Sequence, residues 1–382
     1  MRSVFEDKKE CSGCGACVYV CPKNAIEMVE DEEGFLYPRI DPLKCIDCGL
    51  CRKICTFKTN YDVTNNLQPP LVYAAKNKDK AIRKKSSSGG MFTALSDYVL
   101  ALDGIVIGAC FTENMQVVHK LARTKKEASE FRGSKYIQSD LKIVFKKIKT
   151  LLKEDKFVLF TGLPCQVSSL KGFLKDVNTD KLILCDLICH GVGSPLIWKE
   201  FIKSLYRKNK SKVVNYYFRP KLKGWRDATS KVVYQNQKVD CDSFLSQNYK
   251  SLYFSRLIMR PSCHNCKYTN LARVGDLTIG DFWGIENSKA FFEDQNGVSL
   301  LLVNTLKGKA VFQKIQDNLD YLESNTKECL QPQLQKPTIA SKNRSEFWKD
   351  YRLKGYPFVV NKYLENRLKD KVKRLVKRFL KG

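Results

Sequence analysis

Cysteine spacing restricts this chain more than any other feature. The run Cys11-x2-Cys14-x2-Cys17-x3-Cys21 returns as Cys45-x2-Cys48-x2-Cys51-x3-Cys55. Every member moves by a constant step of 34, from 11 to 45, 14 to 48, 17 to 51 and 21 to 55. A tight loop of this spacing brings three sulfurs to three irons of a cubane, and in two-cluster ferredoxins the fourth ligand comes from the opposite run. The expected sets are therefore Cys11, Cys14, Cys17 and Cys55 for one 4Fe-4S cluster and Cys45, Cys48, Cys51 and Cys21 for the other. Ser12, Gly13, Gly15, Ala16 and Gly49 suit a backbone that wraps closely and aims N–H groups at sulfur. Pro22 closes the first run; Thr56 stands where the second would have proline and removes no ligand. Zinc competes for cysteine pairs, but two complete quartets with a shared offset favour iron–sulfur. With few large apolar side chains, residues 1–60 depend on metal to fold.

The chain has 382 residues, 43% of them hydrophobic, enough for two or three units with a substantial interior. No apolar run approaches the roughly 18 residues that cross a bilayer. The N-terminal MRSVFEDKKECSGC lacks the apolar stretch of a signal peptide, so a cytoplasmic location is expected. Sixteen cysteines in a reducing compartment imply metal, catalysis or burial rather than disulfides. The net charge of +27 is uneven. Residues 1–60 are near neutral, whereas 331–382 hold fifteen basic and four acidic side chains. Such a surface attracts nucleic acid, an anionic membrane or an acidic protein, or is a solvated face. No helix-turn-helix or finger signature occurs, so nucleic acid is not an expected partner.

Segment 59–70 lacks periodicity and ends in two prolines, which reads as a linker. Beyond it, apolar runs of strand length (104–110, 157–162, 181–189, 277–284 and 298–305) alternate with helical patterns at 91–102, 140–154 and 164–176, implying a mainly parallel sheet. Segments 213–220 and 229–238 read as an antiparallel excursion. The last stretch, 360–382, reads as a basic helix with Leu364, Leu368, Val372, Leu375, Val376, Phe379 and Leu380 on one stripe. It would lie on a membrane surface or dock on its own protein. The expected fold class is an α+β ferredoxin-like module, an α/β domain with a mainly parallel sheet, and a helical basic C-terminal tail.

Four more cysteines draw attention. Cys165 (GLPCQ) and Cys189 (DLICHG) follow apolar strands, and Cys263 and Cys266 form RPSCHNC. Strand ends gather where ligands bind in α/β sheets, so these could supply a third cluster; a lone CxxC is also a common zinc site. Taken with SSGG (87–90), GSKY (133–136), DLICHGVGSP and RPSCHNCKYTNLARVGDLTIGDFWG (260–284), they make residues 1–305 resemble the beta subunit of coenzyme F-420 hydrogenases and dehydrogenases.

That resemblance implies FAD and iron–sulfur clusters, with electrons passed between a deazaflavin or ferredoxin and a substrate. By position it makes Cys165, Cys189, Cys263 and Cys266 the ligands of a third 4Fe-4S cluster. It also makes Ser88, Gly89 and Gly90, then Gly133, Ser134, Lys135 and Tyr136, and finally Gly280, Asp281 and Trp283 the flavin surroundings. A glycine-rich helix start suits a pyrophosphate, although SSSGG also fits an ordinary cap and GSKY alone is a turn. Lys135 would neutralise phosphate and Tyr136 would stack. His190 and His264 flank cluster cysteines; His190 is the weak candidate for a catalytic proton relay, or a turn neighbour. Arg219, Lys221, Gly224 and Trp225 would hold an anionic substrate or pin the excursion. Neither GxGxxG after a strand nor Walker A occurs, which argues against nicotinamide and ATP.

The expected organisation is a two-cluster ferredoxin domain (1–60), a linker (61–70), a FAD and iron–sulfur domain (71–330) and the basic tail (331–382). The expected activity is a flavin- and iron–sulfur-dependent oxidoreductase, with an acidic carrier such as ferredoxin or flavodoxin, a small-molecule redox substrate, and coenzyme F-420 as a candidate donor. The alternative is a non-catalytic electron-transfer subunit of a larger redox complex.

Overall fold

The structure is a computed structural model that describes residues 3–365. In the N-terminal module each cysteine loop turns left-handed twice at equivalent positions: Gly13 (φ 69°) and Gly15 (φ 73°), then Asp47 (φ 54°) and Gly49 (φ 72°). Glycine and aspartate tolerate that region best. Each loop releases a short helix, Ala16–Val20 or Leu50–Lys53. Strands β1 (Ile26–Glu30) and β2 (Leu36–Ile40) form an antiparallel hairpin beside them.

Eleven further strands follow: β3 (Asn66–Asn77), β4 (Ile105–Phe111), β5 (Val117–Ala122), β6 (Val158–Gly162), β7 (Leu182–Leu187), β8 (Val213–Tyr217), β9 (Lys231–Tyr234), β10 (Val239–Cys241), β11 (Leu277–Asp281), β12 (Ser299–Thr305) and β13 (Leu319–Ser324). Eight make one sheet in the order β13-β3-β12-β11-β7-β6-β4-β5, and β8–β10 form the separate antiparallel excursion. The sheet is mixed. Its centre, β11, β7, β6 and β4, is parallel, while β12, β3 and β13 on one side and β5 on the other run antiparallel. The expectation of a mainly parallel sheet thus holds for the centre alone. Short returns such as 112–116, between β4 and β5, cannot accommodate the crossover that parallel pairing needs.

Alternation on the central strands feeds two cores. Val106, Leu159 and Ile183 meet helices Met91–Ala101 and Leu306–Ile315. Ile105, Ile107, Val158, Phe160, Leu182 and Leu184 meet helices Val144–Lys153 and Pro164–Phe173 on the other face. Being covered on both sides, these strands read as continuous apolar runs.

Two expectations change. Residues 66–70, read as linker, begin β3. Pro69 and Pro70 lie opposite the irregularity between Val303 and Thr305, where a missing N–H breaks no ladder. Part of the basic tail is core: helix Arg344–Val360 bends at Gly355 (φ 76°) beside Pro357, and Phe347, Trp348, Val359, Val360, Tyr363 and Leu364 join the cluster of Trp198, Phe201 and Tyr249. The rest of the basic stripe, Leu368 to Leu380, lies outside the described residues. No helix among those described is long and apolar enough to cross a membrane.

The N-terminal module packs against the α/β domain through its hairpin turn. Arg344 Nη1 donates to Glu33 Oε1 at 2.9 Å, and the Ser194 hydroxyl donates to the Glu33 carbonyl. Gly34 (φ 80°) meets the start of helix Pro195–Asn209 so closely that a Cβ would sit 2.3 Å from Leu196 Cβ. Elsewhere Thr56, at the second run's departure from proline, is buried against Ser169 (Oγ1···Oγ 3.4 Å). Gly34→Ala should weaken this junction by about 2–4 kcal/mol, from left-handed strain plus overpacking. Faster proteolysis between residues 57 and 66 and a lower melting temperature would be the readout; wild-type values of both would refute the tight contact.

Candidate functional site

The C-terminal ends of the parallel strands open into a cavity of about 570 Å³, within the range of small-molecule sites. Ser88, Gly90, Gly133, Ser134, Lys135, Tyr136, Gly280, Asp281 and Trp283 all line it. Two segments distant in sequence are stitched together there: Ser134 N donates to Ser87 Oγ at 2.8 Å, and Arg132 Nε donates to Thr93 Oγ1 at 3.0 Å. Helix Met91–Ala101 starts at Gly90 (φ 90°) with no side-chain cap, and Gly90, Met91 and Phe92 face the cavity. Uncapped N–H groups and the positive helix end are suited to an anion. Arg132, which no carboxylate pairs among the described residues, adds a cation to the same wall.

Several expected roles look different in three dimensions. Gly89 does not line the cavity; it is packed against β3 and β12, where a Cβ would lie 2.4 Å from the Ala75 carbonyl oxygen. Lys135 lines the cavity, but its ammonium turns back to the carbonyls of Arg132 (3.1 Å) and Gly133 (3.2 Å), among others. Burial lowers it to about 8. Tyr136 stacks on Tyr253 at 4.9 Å, forming an aromatic wall with Phe218 and Phe254. Asp281 is a hub that pairs with Arg219 and accepts from Trp225 Nε1 at 2.7 Å. Trp225 in turn stacks flat on Trp283 (4.9 Å, 4°). Lys221 donates to the carbonyls of Arg83 and Ser88. Arg219, Lys221 and Trp225 therefore pin the excursion, and only Arg219 of the three also reaches the cavity. Sequence reading missed Arg132, Gln166, Tyr253 and His119 as lining residues; Gln166 closes GLPCQ and Arg132 adjoins GSKY, whereas no motif marks Tyr253 or His119.

Cys165, Cys189, Cys263 and Cys266 line a second cavity with Arg260, Tyr268 and Arg273. Cys165 enters at the start of helix Pro164–Phe173, Cys189 just past β7, and the CxxC pair from the turn Pro261–Asn265. Gly191 N donates to Cys189 Sγ at 3.3 Å and Val192 N to Cys263 Sγ at 3.4 Å. Burial, reinforced by the neighbouring sulfurs, pushes Cys165 and Cys189 well up and Cys263 to about 12. Four thiolates can be held here only against strong compensating positive charge. Among the described residues no three of His, Cys, Asp and Glu converge as ligands of one metal ion; these four thiols lie around the lining of one cavity. Leu163, Gln166, Cys189, His190, Gly191 and Val192 line both cavities and form the wall between them.

In the N-terminal module, Cys21, Cys45, Cys48 and Cys51 line a third cavity, and Ala25 N donates to Cys21 Sγ at 3.3 Å. Burial, then the charges of Cys14 and Cys55 among others, raise the Cys11 and Cys17 thiols, Cys11 to about 11. Cys51 is also felt at Cys17, and Cys14 at Cys165. Of these sulfurs Cys48 is exposed and Cys17 buried, while Cys165 and Cys189 are half-buried.

A two-quartet thiol module set on an α/β domain, with a thiol-lined cavity backing onto a larger one, defines a class of iron–sulfur protein. Family models place it further: a 4Fe-4S dicluster domain matches residues 10–59, and the N- and C-terminal parts of the coenzyme F-420 hydrogenase/dehydrogenase beta subunit match 72–146 and 155–328. The chain belongs to that family of beta subunits and carries a 4Fe-4S dicluster domain ahead of the matched region. A subunit of the F(420)H(2) dehydrogenase of Methanosarcina mazei is 21% identical over 323 residues, 82% of this chain and 84% of that protein. An uncharacterized protein of Methanocaldococcus jannaschii is 25% identical over 210 residues, 45% of this chain and 55% of that one. A chain of the F-420-reducing NiFe hydrogenase complex from Methanosarcina barkeri has a TM-score of 0.46 at 20% identity, covering 78% of this chain and 91% of that chain.

His119 lines the larger cavity, buried, with Nε2 donating to the Thr161 carbonyl at 3.2 Å and Nδ1 unpartnered. Burial lowers it from 6.5 to about 4. Between these values the unfolded chain binds the extra proton, so the stability it confers is full above pH 6.5 and drains as pH falls toward 4. His119→Gln keeps a donor without the titration. Its melting temperature should fall less than the wild type's between pH 7 and pH 5; parallel curves would contradict a neutral buried imidazole.

Proposed function

We propose that this chain is a flavin- and iron–sulfur-dependent oxidoreductase of its family, passing electrons between an acidic carrier protein and an organic hydride partner such as coenzyme F-420. The observation that carries this reading is the shared wall: Cys189 to Val192 border both the thiol-lined cavity and the larger one. Bound in these cavities and in the N-terminal module, the clusters would move single electrons and FAD would exchange them in pairs.

The chain's own residues are assigned as follows. Cys11, Cys14, Cys17 and Cys55, then Cys45, Cys48, Cys51 and Cys21, and finally Cys165, Cys189, Cys263 and Cys266 hold three iron–sulfur cores. The uncapped start of helix Met91–Ala101, with Ser87, Ser134 and Arg132, takes the FAD pyrophosphate. The Tyr136, Tyr253 and Phe254 wall excludes water, and Asp281 with Arg219 fixes the opposite side. Burial keeps His190 below the usual imidazole value, so it holds a hydrogen-bonding site at the shared wall without adding a second cation. Around exposed Cys48 the chain exposes Leu43, Ile46 and Leu50 together with Lys23, Arg52, Lys53 and Asp47, a mixed apolar and charged region where a carrier protein would dock.

A second reading, a non-catalytic electron-transfer subunit, is favoured by the match to one component of a dehydrogenase across most of its length. It would reduce no small molecule without partner subunits. Anaerobically purified protein should contain about twelve irons and one FAD per chain, for three four-iron cores. Cys263→Ser should remove about four irons. About eight irons without flavin would overturn the third core and the flavin site; an unchanged iron count in Cys263→Ser would overturn the third core.

A further inference from the structure

Among the described residues three arginines are buried outright: Arg83, Arg260 and Arg273. Arg83 pairs with Asp294, and Arg273 with Asp186 at 2.6 Å. Arg260 is the most deeply buried of the three, at 0% exposure, and no carboxylate among the described residues pairs with it. Its Nε donates to the Cys11 carbonyl at 2.7 Å, Nη1 to Gln138 Oε1 at 2.7 Å and Nη2 to the Leu36 carbonyl at 3.0 Å. The guanidinium lies 4.1 Å from the centroid of the Tyr37 ring and 5.3 Å from that of Phe35. All these partners are neutral. Arg260 Nη2 also faces Cys11 Sγ at 3.7 Å, and the same side chain lines the cavity of Cys165, Cys189, Cys263 and Cys266. Gly13, between Cys11 and Cys14, leaves the room: a Cβ there would sit 2.8 Å from Arg260 Nη1.

A buried cation surrounded only by neutral groups is costly, and such charges are normally paired. An iron–sulfur core held by four thiolates is net negative, and becomes more so when it gains an electron. We infer that Arg260 is the buried countercharge of the core held by Cys11, Cys14, Cys17 and Cys55, a positioning residue that raises that core's reduction potential and ties the N-terminal module to the α/β domain. This rests on the reading that those cysteines hold iron. Charge near a cluster and hydrogen bonds to its sulfurs are the levers a protein has over its potential. Removing the cation leaves the reduced form less stabilised.

The test is a redox titration of the anaerobically purified full-length protein, followed by electron paramagnetic resonance, with iron analysis alongside. In Arg260→Met one cluster should become harder to reduce, on the order of tenfold at fixed ambient potential, which is about 59 mV for one electron. The core of Cys45, Cys48, Cys51 and Cys21 serves as the unshifted reference. Arg260→Lys, which keeps charge but loses the planar fork, should shift less. If Arg260→Met loads no iron, Gln138→Glu decides, because a carboxylate at Oε1 would neutralise Arg260 without deleting it. The same cluster should then move to lower potential. Full iron with wild-type potentials in Arg260→Met, or in Gln138→Glu, would overturn the countercharge role. A wild-type protein containing zinc and no iron would instead sink the underlying cluster reading.

Discussion

Sulfur charge in a dry interior is the constraint on which this structure turns. Cys165, Cys189 and Cys263 are half-buried around a cavity, where desolvation opposes ionising them and each neighbouring thiolate worsens the cost for the next. Backbone N–H groups at Gly191 and Val192 offset part of that cost by donating to sulfur. The remainder needs positive charge inside the cavity, and iron supplies it in the proposed account. Folding, cofactor loading and module packing are then one coupled problem.

The sheet explains why the sulfurs and the larger cavity adjoin. Parallel β6 and β7 end side by side, delivering Cys165 and Cys189 to neighbouring points, and parallel β11 ends next to β7 with Gly280 and Asp281. A crevice beyond parallel strand ends is where α/β folds bind ligands. Here the loop after β7 divides that crevice, with thiols on one side and the uncapped helix start on the other. The N-terminal module covers the thiol side, held by Glu33, Thr56 and the loop at Gly13.

How much of this the sequence disclosed depended on whether the signal was local. The quartets were legible because one tight loop must carry three thiolates, and β4, β6 and β7 because burial on both faces leaves an unbroken apolar run. β5 escaped notice because it mixes buried His119 with exposed Lys120, and β13 because half of it faces solvent. Lys135 does line the larger cavity, yet no sequence pattern reveals that its ammonium turns to its own chain's carbonyls. Arg260 was invisible for a different reason. It opens the quoted RPSCHNC stretch, but its partner Cys11 lies 249 positions away and nothing local pairs the two. The prolines at 69 and 70 misled outright, because they sit in an irregular stretch of β3 between the paired Asn66 and Leu71, which lets a strand begin where a linker was expected.

The central claim is spatial: iron occupies the cavity bounded by Cys165, Cys189, Cys263 and Cys266, across a thin wall from the larger cavity. Anomalous diffraction at the iron edge from anaerobically grown crystals tests it most directly. The account predicts three separate iron sites, the innermost ringed by those four sulfurs. Iron confined to the N-terminal module, or a zinc signal at the inner site, would contradict it.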